Sequence, residues 1–382
     1  MQTTNDFTTS SQVSAAEPPT ADLVSDLPIV KLLRELISQG GSDLHLKVGQ
    51  PPIFRVNGKL IRTDSPVLDG ETIREMIEEL TNNEQQQTLV RQRELDTSYS
   101  VSGLARFRVN VFFQNNNSGL VLRVIPINVK GIDEMGLPSV VRNFCTLKRG
   151  LVLVTGPTGS GKSTTLAAII DEINAKQRKH IITIEDPIEF LHRDKMSAIN
   201  QREIGGDTLS FAAALKHVMR QSPDVVLVGE LRDLETISLA MTAAETGHLV
   251  FATLHTTDAA QTIDRMIDVF PPDQQAQARV QLANSLAGVV SQTLLPCKNG
   301  GRVAAFELLL CHSGVRNLIR EGKTHQMNNL IQTGYSVGMR LLDQDLKRLL
   351  EEGLVEYDDA IAKSSNPAEF ERVASHLAPR VV

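Results

Sequence analysis

Residues 151–164, LVLVTGPTGSGKST, decide the fold of this 382-residue chain. A continuous apolar run opens the stretch, a glycine-rich turn follows it, and a helix-forming run comes next. This order fits the P-loop pattern, in which glycines let successive backbone N–H groups point at one phosphate and the new helix adds its positive dipole. We therefore predict a phosphate-binding loop. Its residues are Gly156, Pro157, Thr158, Gly159, Ser160, Gly161, Lys162, Ser163 and Thr164.

Two side chains at the end of this loop carry the chemistry of a bound triphosphate. In the P-loop pattern Lys162 reaches the β- and γ-phosphates, and the Ser163 hydroxyl is a ligand of Mg²⁺. ATP and Mg²⁺ are therefore the predicted cofactors. A chance match in a glycine-rich turn is the alternative, and the strand before the loop and the helix after it argue against that alternative.

The pattern around the loop predicts an α/β fold. Short apolar runs at 151–155, 181–185, 225–229 and 249–254 alternate with helical stretches. Apolar runs without alternation are typical of parallel strands buried on both faces, so the core is predicted to be doubly wound. We place this core at 139–310 and a mainly helical region at 311–382.

The chain before the core predicts a small α+β domain at 27–125. Asn57-Gly58 lies between two strand-like runs and indicates a tight hairpin, and residues 71–94 carry two helical stretches. Residues 106–111 alternate in polarity, which places Arg106 and Arg108 on one face. Residues 115–119 are predicted to turn into a second strand at 120–125 that carries Arg123.

Two segments flank this small domain. Residues 126–138 contain two prolines and two glycines and are interpreted as a linker. Residues 1–26 are rich in Thr, Ser, Ala and Pro, which favours a disordered tail, and nothing in them suggests a role.

Composition narrows the function classes. The net charge is −6 and tryptophan is absent, which disfavours a nucleic-acid motor because neither a basic field nor a stacking platform is present. The sequence contains no apolar run of the roughly 18 residues that suggest a membrane span. The cysteines, Cys145, Cys297 and Cys311, are isolated, which argues against a structural zinc site and fits a reducing cytosol.

Carboxylates at predicted strand ends indicate hydrolysis rather than binding alone. Glu230 follows an apolar strand, where a Walker-B group would hold Mg²⁺, although a surface carboxylate could also follow a buried strand. Residues 184–190, IEDPIEF, place three carboxylates at another strand end. Glu185 and Glu189 are both candidates for the general base, and a charged solvent loop is the alternative.

His255 follows a further strand, in the sequence ATLHTT at 252–257. A histidine at this position could donate a hydrogen bond to the γ-phosphate. A lone histidine near a strand end is more often a satisfied polar residue, and the residues alone favour that interpretation.

The P-loop, the IEDPIEF box, the stretch LVGELRD at 227–233 and the ATLHTT box occur in the order found in secretion-superfamily ATPases. As a set they most resemble the retraction ATPases of type IV pili, over about residues 28–350. The resemblance implies a PAS-like N-terminal domain, a RecA-like ATPase domain and a homohexamer with nucleotide at subunit boundaries.

The resemblance also assigns roles to residues. It implies that Glu230 is the Walker-B glutamate, Glu189 the catalytic base and His255 the phosphate-sensing histidine. Arg108 and Arg123 match positions that reach the γ-phosphate in this superfamily. Without the resemblance we would interpret both arginines as solvated strand residues.

The prediction of retraction rather than assembly depends on residues 315–321, VRNLIRE, which match a segment characteristic of retraction motors. The chain departs from that segment at Gly314 and Val315. Assembly and type II secretion ATPases generally carry a four-cysteine motif that this chain lacks. The expected function is an ATP-driven motor for pilus retraction and twitching motility, located at the inner face of the cell membrane. The expected partners are other copies of the chain, the inner-membrane platform protein and further cytoplasmic pilus-base components.

Three other functions remain as alternatives. One is an assembly or accessory ATPase of a type IV pilus or a type II secretion system. Another is a structural ring that binds ATP but barely hydrolyses it, against which the intact acidic box and Glu230 argue. The third is a nucleic-acid motor.

Overall fold

The computed structural model of the protein describes residues 28–125 and 129–377. The predicted tail at 1–26, residue 27 and the first linker residues, 126–128, lie outside the described residues. The chain divides after Ile125 into two compact units. Each unit has its own hydrophobic core and is described by itself.

The first unit packs helices against one antiparallel sheet. Its strand order is β3-β2-β1-β6-β5-β4. In chain order its elements are α1 (Pro28–Ser38), β1 (Gly41–Lys47), β2 (Ile53–Val56), β3 (Lys59–Arg62), α2 (Gly70–Leu80), α3 (Asn83–Gln92), β4 (Glu94–Val101), β5 (Ala105–Gln114) and β6 (Asn117–Ile125).

Asparagine turns set two of the hairpins of this sheet. Asn57 and Gly58 have φ of 49° and 79°, the left-handed values that a type I′ turn requires, so the predicted first hairpin is confirmed. The second turn is shorter than predicted. Asn115 and Asn116 alone have positive φ, 48° and 62°, and Asn117 already pairs with Gln114. Residues 117–119 therefore belong to β6, and the prediction of a turn over 115–119 was wrong.

The alternation along β5 is confirmed. Phe107, Val109 and Val111 are fully buried in the core of the first unit, whereas Arg108 is exposed on the opposite face. The buried aromatic and branched side chains fix the register, because a slip by one residue would exchange the two faces.

The second unit is built on a mixed sheet with the strand order β13-β12-β7-β11-β10-β8-β9. Its strands are β7 (Gly150–Thr155), β8 (His180–Glu185), β9 (Ala198–Glu203), β10 (Val225–Val228), β11 (Leu249–Leu254), β12 (Leu286–Pro296) and β13 (Arg302–Leu310). Its α-helices are α4 (Val141–Cys145), α5 (Lys162–Lys176), α6 (Phe211–Val218), α7 (Leu234–Glu245), α8 (Ala259–Asp268), α9 (Gln275–Ser285), α10 (Ser313–Glu321), α11 (Met327–Thr333), α12 (Leu342–Glu351), α13 (Tyr357–Ile361) and α14 (Pro367–Ala374).

The predicted α/β core is confirmed, because its central strands are parallel and covered on both faces. Leu151 and Leu153 of β7 face one apolar cluster, and Val152 and Val154 face the other. Helices α6 to α9 contribute to the first cluster, and α4 and α5 contribute to the second. Truncating one of these fully buried side chains to alanine costs about 2–5 kcal/mol in typical cores.

Strands β9, β12 and β13 were not predicted. Residues 291–293 of β12 are polar yet buried, so the strand lacks the continuous apolar run that marked the other core strands. Beyond β13 the described chain is helical to residue 377, as expected. Within the described residues, no helix combines the length and the apolar character needed to cross a bilayer.

Candidate functional site

Four neighbouring parallel strands of the second unit bring the predicted site residues to one edge. Strands β7, β11, β10 and β8 lie side by side, and the P-loop, His255, Glu230 and the acidic box follow their carboxyl ends. Ligands of open α/β sheets bind at this edge, in the crevice outside the carboxyl ends of the strands. The fold therefore gathers motifs that are far apart in the sequence.

The first P-loop glycine is required by close packing. Gly156 has a φ of 143°, and a Cβ on it would lie 2.2 Å from the carbonyl oxygen of Gln292 and 2.6 Å from Oγ of Ser160. Gly161, with a φ of 91°, then leads directly into α5 at Lys162. The loop is thus a narrow backbone cradle at a helix N-terminus, the arrangement that binds phosphate.

Strand β12 supports this cradle from the side. The Thr155 hydroxyl donates a 2.8 Å hydrogen bond to Oγ of Ser291, and Nε2 of Gln292 donates a 2.7 Å bond to the carbonyl of Ser160. The Ser160 hydroxyl is buried and has no partner among the described residues. An unpaired hydroxyl in the loop is consistent with a site that a polar ligand completes. No pattern of residues had indicated a role for Ser291 or Gln292.

Lys162 lies against its own loop. Its ammonium donates hydrogen bonds to the carbonyls of Gly156 at 2.8 Å and Pro157 at 3.1 Å. Burial lowers the pKa of Lys162, while the charges of Glu230 and Glu189 act to raise it. Both predicted carboxylates are therefore close enough to act on the P-loop lysine.

Glu230 is held through both of its neighbours. The Thr253 hydroxyl donates to the carbonyl of Gly229, and the Leu231 N–H donates a 3.0 Å bond to the carbonyl of Thr253. Strand β11 thus fixes the backbone on each side of Glu230. The glutamate points from a rigid strand end rather than from a solvent loop.

The Glu230 carboxylate also has two cationic or polar partners. Arg232 contacts it at 2.7 Å and Nε2 of His255 at 3.2 Å. Burial alone would raise the pKa of Glu230, but the hydrogen bond and charge of Arg232, with a smaller effect of His255, hold it below its usual value. Arg232 was not predicted, because a basic residue four positions after the end of a strand has no distinctive pattern. These side chains and Arg265 line a cleft of about 310 Å³.

The acidic box separates its two candidate bases. Glu185 accepts hydrogen bonds from the Thr183 hydroxyl at 2.6 Å and from Gln201 at 3.2 Å, and burial raises the pKa of its carboxyl. Glu189 is exposed at the strand-end edge. The Glu185 carboxylate is thus already hydrogen-bonded to other side chains, whereas the Glu189 side chain is accessible to a ligand.

The two predicted arginines lie in the first unit. Arg108 of β5 and Arg123 of β6 are directly paired across the sheet, and both are exposed. Like charges opposite each other are unfavourable in a sheet. Asp43 offsets part of the repulsion between the two arginines, since its buried carboxylate accepts a 2.7 Å hydrogen bond from Nε of Arg123. Arg108 in turn lies 3.8 Å from a carboxylate oxygen of Asp96, so each arginine of the pair has an acidic neighbour on the face opposite the core.

Among the described residues, no group of three or more histidine, cysteine, aspartate or glutamate side chains could hold a metal ion. A hydroxyl and one carboxylate, from Ser163 and Glu230, are instead the only protein donors predicted. This set suits Mg²⁺, which usually keeps several waters and binds through one or two carboxylates plus substrate phosphates.

Comparisons with known proteins agree with this geometry. Residues 21–361 match the family model described as type II/IV secretion system protein. The chain is 50% identical to the type IV pilus retraction ATPase PilT of Pseudomonas aeruginosa, over 90% of this chain and 100% of the relative. It is 49% identical to a twitching motility protein of Neisseria gonorrhoeae, over 82% and 84% of the two chains.

A solved structure is similar over the same extent. The crystal structure of the pilus retraction motor PilT with bound ADP superimposes with a TM-score of 0.85 and 46% identity, covering 91% of this chain and 100% of that one. The similarity therefore spans both units.

Proposed function

The chain belongs to the type II/IV secretion system protein family and is an ATPase of its pilus retraction group, and on that premise we propose how its residues bind and hydrolyse ATP to retract a type IV pilus. The observation that carries the proposal is the convergence of Lys162, Glu189, Glu230 and His255 at one edge of a P-loop sheet.

ATP binds first through the P-loop backbone. Its phosphates accept hydrogen bonds from the loop N–H groups and from the start of α5. Lys162 exchanges the carbonyls of Gly156 and Pro157 for the β- and γ-phosphates, since an ammonium gains more from anionic oxygens than from neutral ones. The partly buried site strengthens this attraction because water screens it less.

Mg²⁺ would be held by the Ser163 hydroxyl and by Glu230 or a water bound to it. When bound, such an ion neutralises charge on the phosphates. Arg232 favours this role, because it keeps Glu230 ionised and therefore able to act as a ligand.

Hydrolysis depends on Glu189 and His255. Glu189 orients a water molecule and accepts its proton as the oxygen attacks the γ-phosphorus and the bond to the β-phosphate oxygen breaks. His255 donates a hydrogen bond to the γ-phosphate and returns to Glu230 when phosphate leaves, which couples the histidine to the Walker-B glutamate. The exposed pair Arg108 and Arg123 supplies positive charge to the γ-phosphate in the active assembly.

The working assembly is a homohexamer, as the family resemblance implies. Hydrolysis moves the two units of each chain relative to each other, and that motion extracts pilin from the pilus base. The partners are the inner-membrane platform protein and other cytoplasmic pilus-base components, so the motor acts at the inner face of the membrane.

The experiment that tests retraction is deletion of the gene in the native host. A retraction motor predicts cells that still display surface pili but lose surface motility. Loss of surface pili would instead identify an assembly ATPase. Complementation of the deletion strain with the Lys162→Ala variant, a full-length chain without the P-loop ammonium, tests whether retraction needs ATP.

A further inference from the structure

Strand β9 lies at the open edge of the second sheet, directly beside the strand that ends in the acidic box. It pairs in parallel with β8, so that Gln201 lies opposite Thr183 and Glu203 lies opposite Glu185. All four side chains therefore share one face of the strand pair. This face carries a hydrogen-bond network that the mechanism above does not use.

Gln201 makes three hydrogen bonds within this network. Its Nε2 donates to the carbonyl of Phe190 at 2.8 Å and to Oε1 of Glu185 at 3.2 Å. Its Oε1 accepts a 2.8 Å bond from the N–H of His192. One amide side chain thus ties together the beginning of the acidic box, its last residue and His192 just after it.

Glu203 holds the other side of the box. Its buried carboxylate accepts a 3.1 Å hydrogen bond from the N–H of Ile188, and Ile188 is itself buried. Glu189 therefore stands between two residues whose backbones are bonded to β9: Ile188 through Glu203 and Phe190 through Gln201. Its own side chain stays exposed.

The same construction occurs at the second carboxylate of the site. Glu230 lies between Gly229 and Leu231, and both are bonded to Thr253 of β11. At each position the protein fixes the two flanking peptide groups to a neighbouring strand, and the glutamate side chain itself makes none of these backbone-fixing bonds. The recurrence indicates that the placement of Glu189 is a property of the fold and not of a loose loop.

We infer that Gln201 is a positioning residue for ATP hydrolysis, which acts with Glu203 to fix the backbone on both sides of Glu189. The inference rests on the proposed function, because it requires Glu189 to act on the attacking water. Neither side chain touches the nucleotide in this account. Their effect is on where the Glu189 carboxylate lies, and a displacement of about 1 Å at a reacting group can reduce a rate by about 100-fold.

The first test replaces Gln201 by leucine, which has a similar size and makes none of the three bonds. We expect kcat to fall by about 10- to 100-fold while KM for ATP stays within about twofold, since the P-loop contacts that bind ATP are untouched. A merely structural role would lower the fraction of folded protein and leave kcat per folded site unchanged.

Asn200→Leu is the matched control. Asn200 is the neighbouring residue on β9, and its side chain bonds Nε2 of His180 at 2.8 Å, away from the acidic box. This variant should keep wild-type kcat and KM although it also loses an edge-strand hydrogen bond. Wild-type kcat for Gln201→Leu, or an equal loss in Asn200→Leu, would overturn the inference.

Gln201→Glu provides a pH readout that needs no large change of shape. Glu185 is the titratable side chain that Gln201 contacts, so the variant places two carboxyl groups in contact, and one of them must hold a proton to avoid repulsion. At low pH the shared proton leaves a carboxyl O–H group that can donate a hydrogen bond to the carbonyl of Phe190 or to the carboxylate of Glu185. As pH rises the proton is lost, and kcat relative to wild type should therefore fall with increasing pH. A flat ratio would contradict the positioning role.

Glu189→Gln separates failure of this inference from failure of the proposed function. If Glu189→Gln is inactive and Gln201→Leu retains wild-type kcat, then Gln201 does not position the base and the proposed function stands. If Glu189→Gln keeps wild-type kcat, the assignment of the base itself is wrong and the inference falls with it.

Discussion

Nε2 of His255 lies 3.2 Å from Oε1 of Glu230. The two residues follow adjacent parallel strands, β11 and β10, so the contact is made by the sheet and not by chance loop packing. It joins the predicted phosphate-sensing histidine to the predicted Walker-B glutamate. The histidine thus has a resting partner that it can leave when a γ-phosphate is present.

Replacing His255 by alanine should remove the γ-phosphate contact and slow hydrolysis. We expect kcat to fall by about tenfold or more with little change in ATP affinity, because one hydrogen bond to the reacting group is lost. Phosphate release by the purified chain measures the change. His248→Ala, at the opposite end of β11, is the control and should keep the wild-type rate. A wild-type rate in His255→Ala as well would exclude His255 from the site.

Arg232→Gln should alter the pH dependence of hydrolysis. Arg232 holds the pKa of Glu230 below its usual value, so the variant should protonate Glu230 at a higher pH than the wild type does. The acid limb of the kcat/KM profile is therefore expected to move upward, with a larger loss at pH 5 than at pH 8. Arg220→Gln, an exposed arginine of the same unit, serves as the control. Superimposable profiles for Arg232→Gln and wild type would contradict this role.

The cationic pair of the first unit gives a third prediction. Arg108→Ala and Arg123→Ala should each reduce turnover by about 1,000-fold, the order expected of an arginine that stabilises a transferring phosphoryl group. Nucleotide binding, followed with a fluorescent ATP analogue, should be largely retained. Arg74→Ala changes an exposed helix arginine of the same unit and should be neutral. Full activity in both strand variants would exclude the pair from catalysis.

Glu307 links the site to the C-terminal helices and predicts a pH effect on stability. Its buried carboxyl accepts bonds from the N–H groups of Ala259 and Leu342, the first residues of α8 and α12, and burial raises its pKa from 4.5 to about 7. The folded chain therefore keeps a proton where the unfolded chain has released it, so stability is lost as pH rises from about 4.5 to about 7.

Glu307→Gln should flatten this part of the stability curve. The variant cannot ionise, so its free energy of unfolding relative to wild type should rise by on the order of 2–3 kcal/mol between pH 5 and pH 8. Thermal melts across that range measure the trend. Glu371→Gln, at an exposed position of α14, should leave the wild-type slope unchanged. A constant difference between Glu307→Gln and wild type at all pH values would contradict the expectation.

The sequence predicted the parts of the fold that depend on local patterns of residues. The P-loop, the apolar strands that end near Glu230 and His255, and the Asn57-Gly58 turn each depend on residues close together in the chain. Strand β12 was missed because its buried residues Ser291 and Gln292 are polar, and a buried polar residue is recognisable only when its partner is known. Gln292 contacts Ser160, 132 positions away.

The same distinction applies to the site. Sequence patterns identified the groups that we propose face a nucleotide, but not the residues that hold those groups in place. Gln201 and Thr253 act through contacts across strands, and a single sequence carries no record of strand order. Arg232 contacts Glu230 from two positions further along the chain, but no residue pattern marks that contact. The roles of Glu189 and of the arginine pair came from resemblance to a family and not from any local pattern of residues.

ATP hydrolysis by Glu189→Gln should be compared with that of wild type and of Glu235→Gln, which changes an exposed glutamate of α7. We predict that Glu189→Gln binds ATP with an affinity within about threefold of wild type and hydrolyses it at least about 100-fold more slowly, the effect expected for loss of a general base. Glu235→Gln should match wild type in both. Wild-type hydrolysis by folded Glu189→Gln would contradict the account of how this site converts ATP binding into pilus retraction.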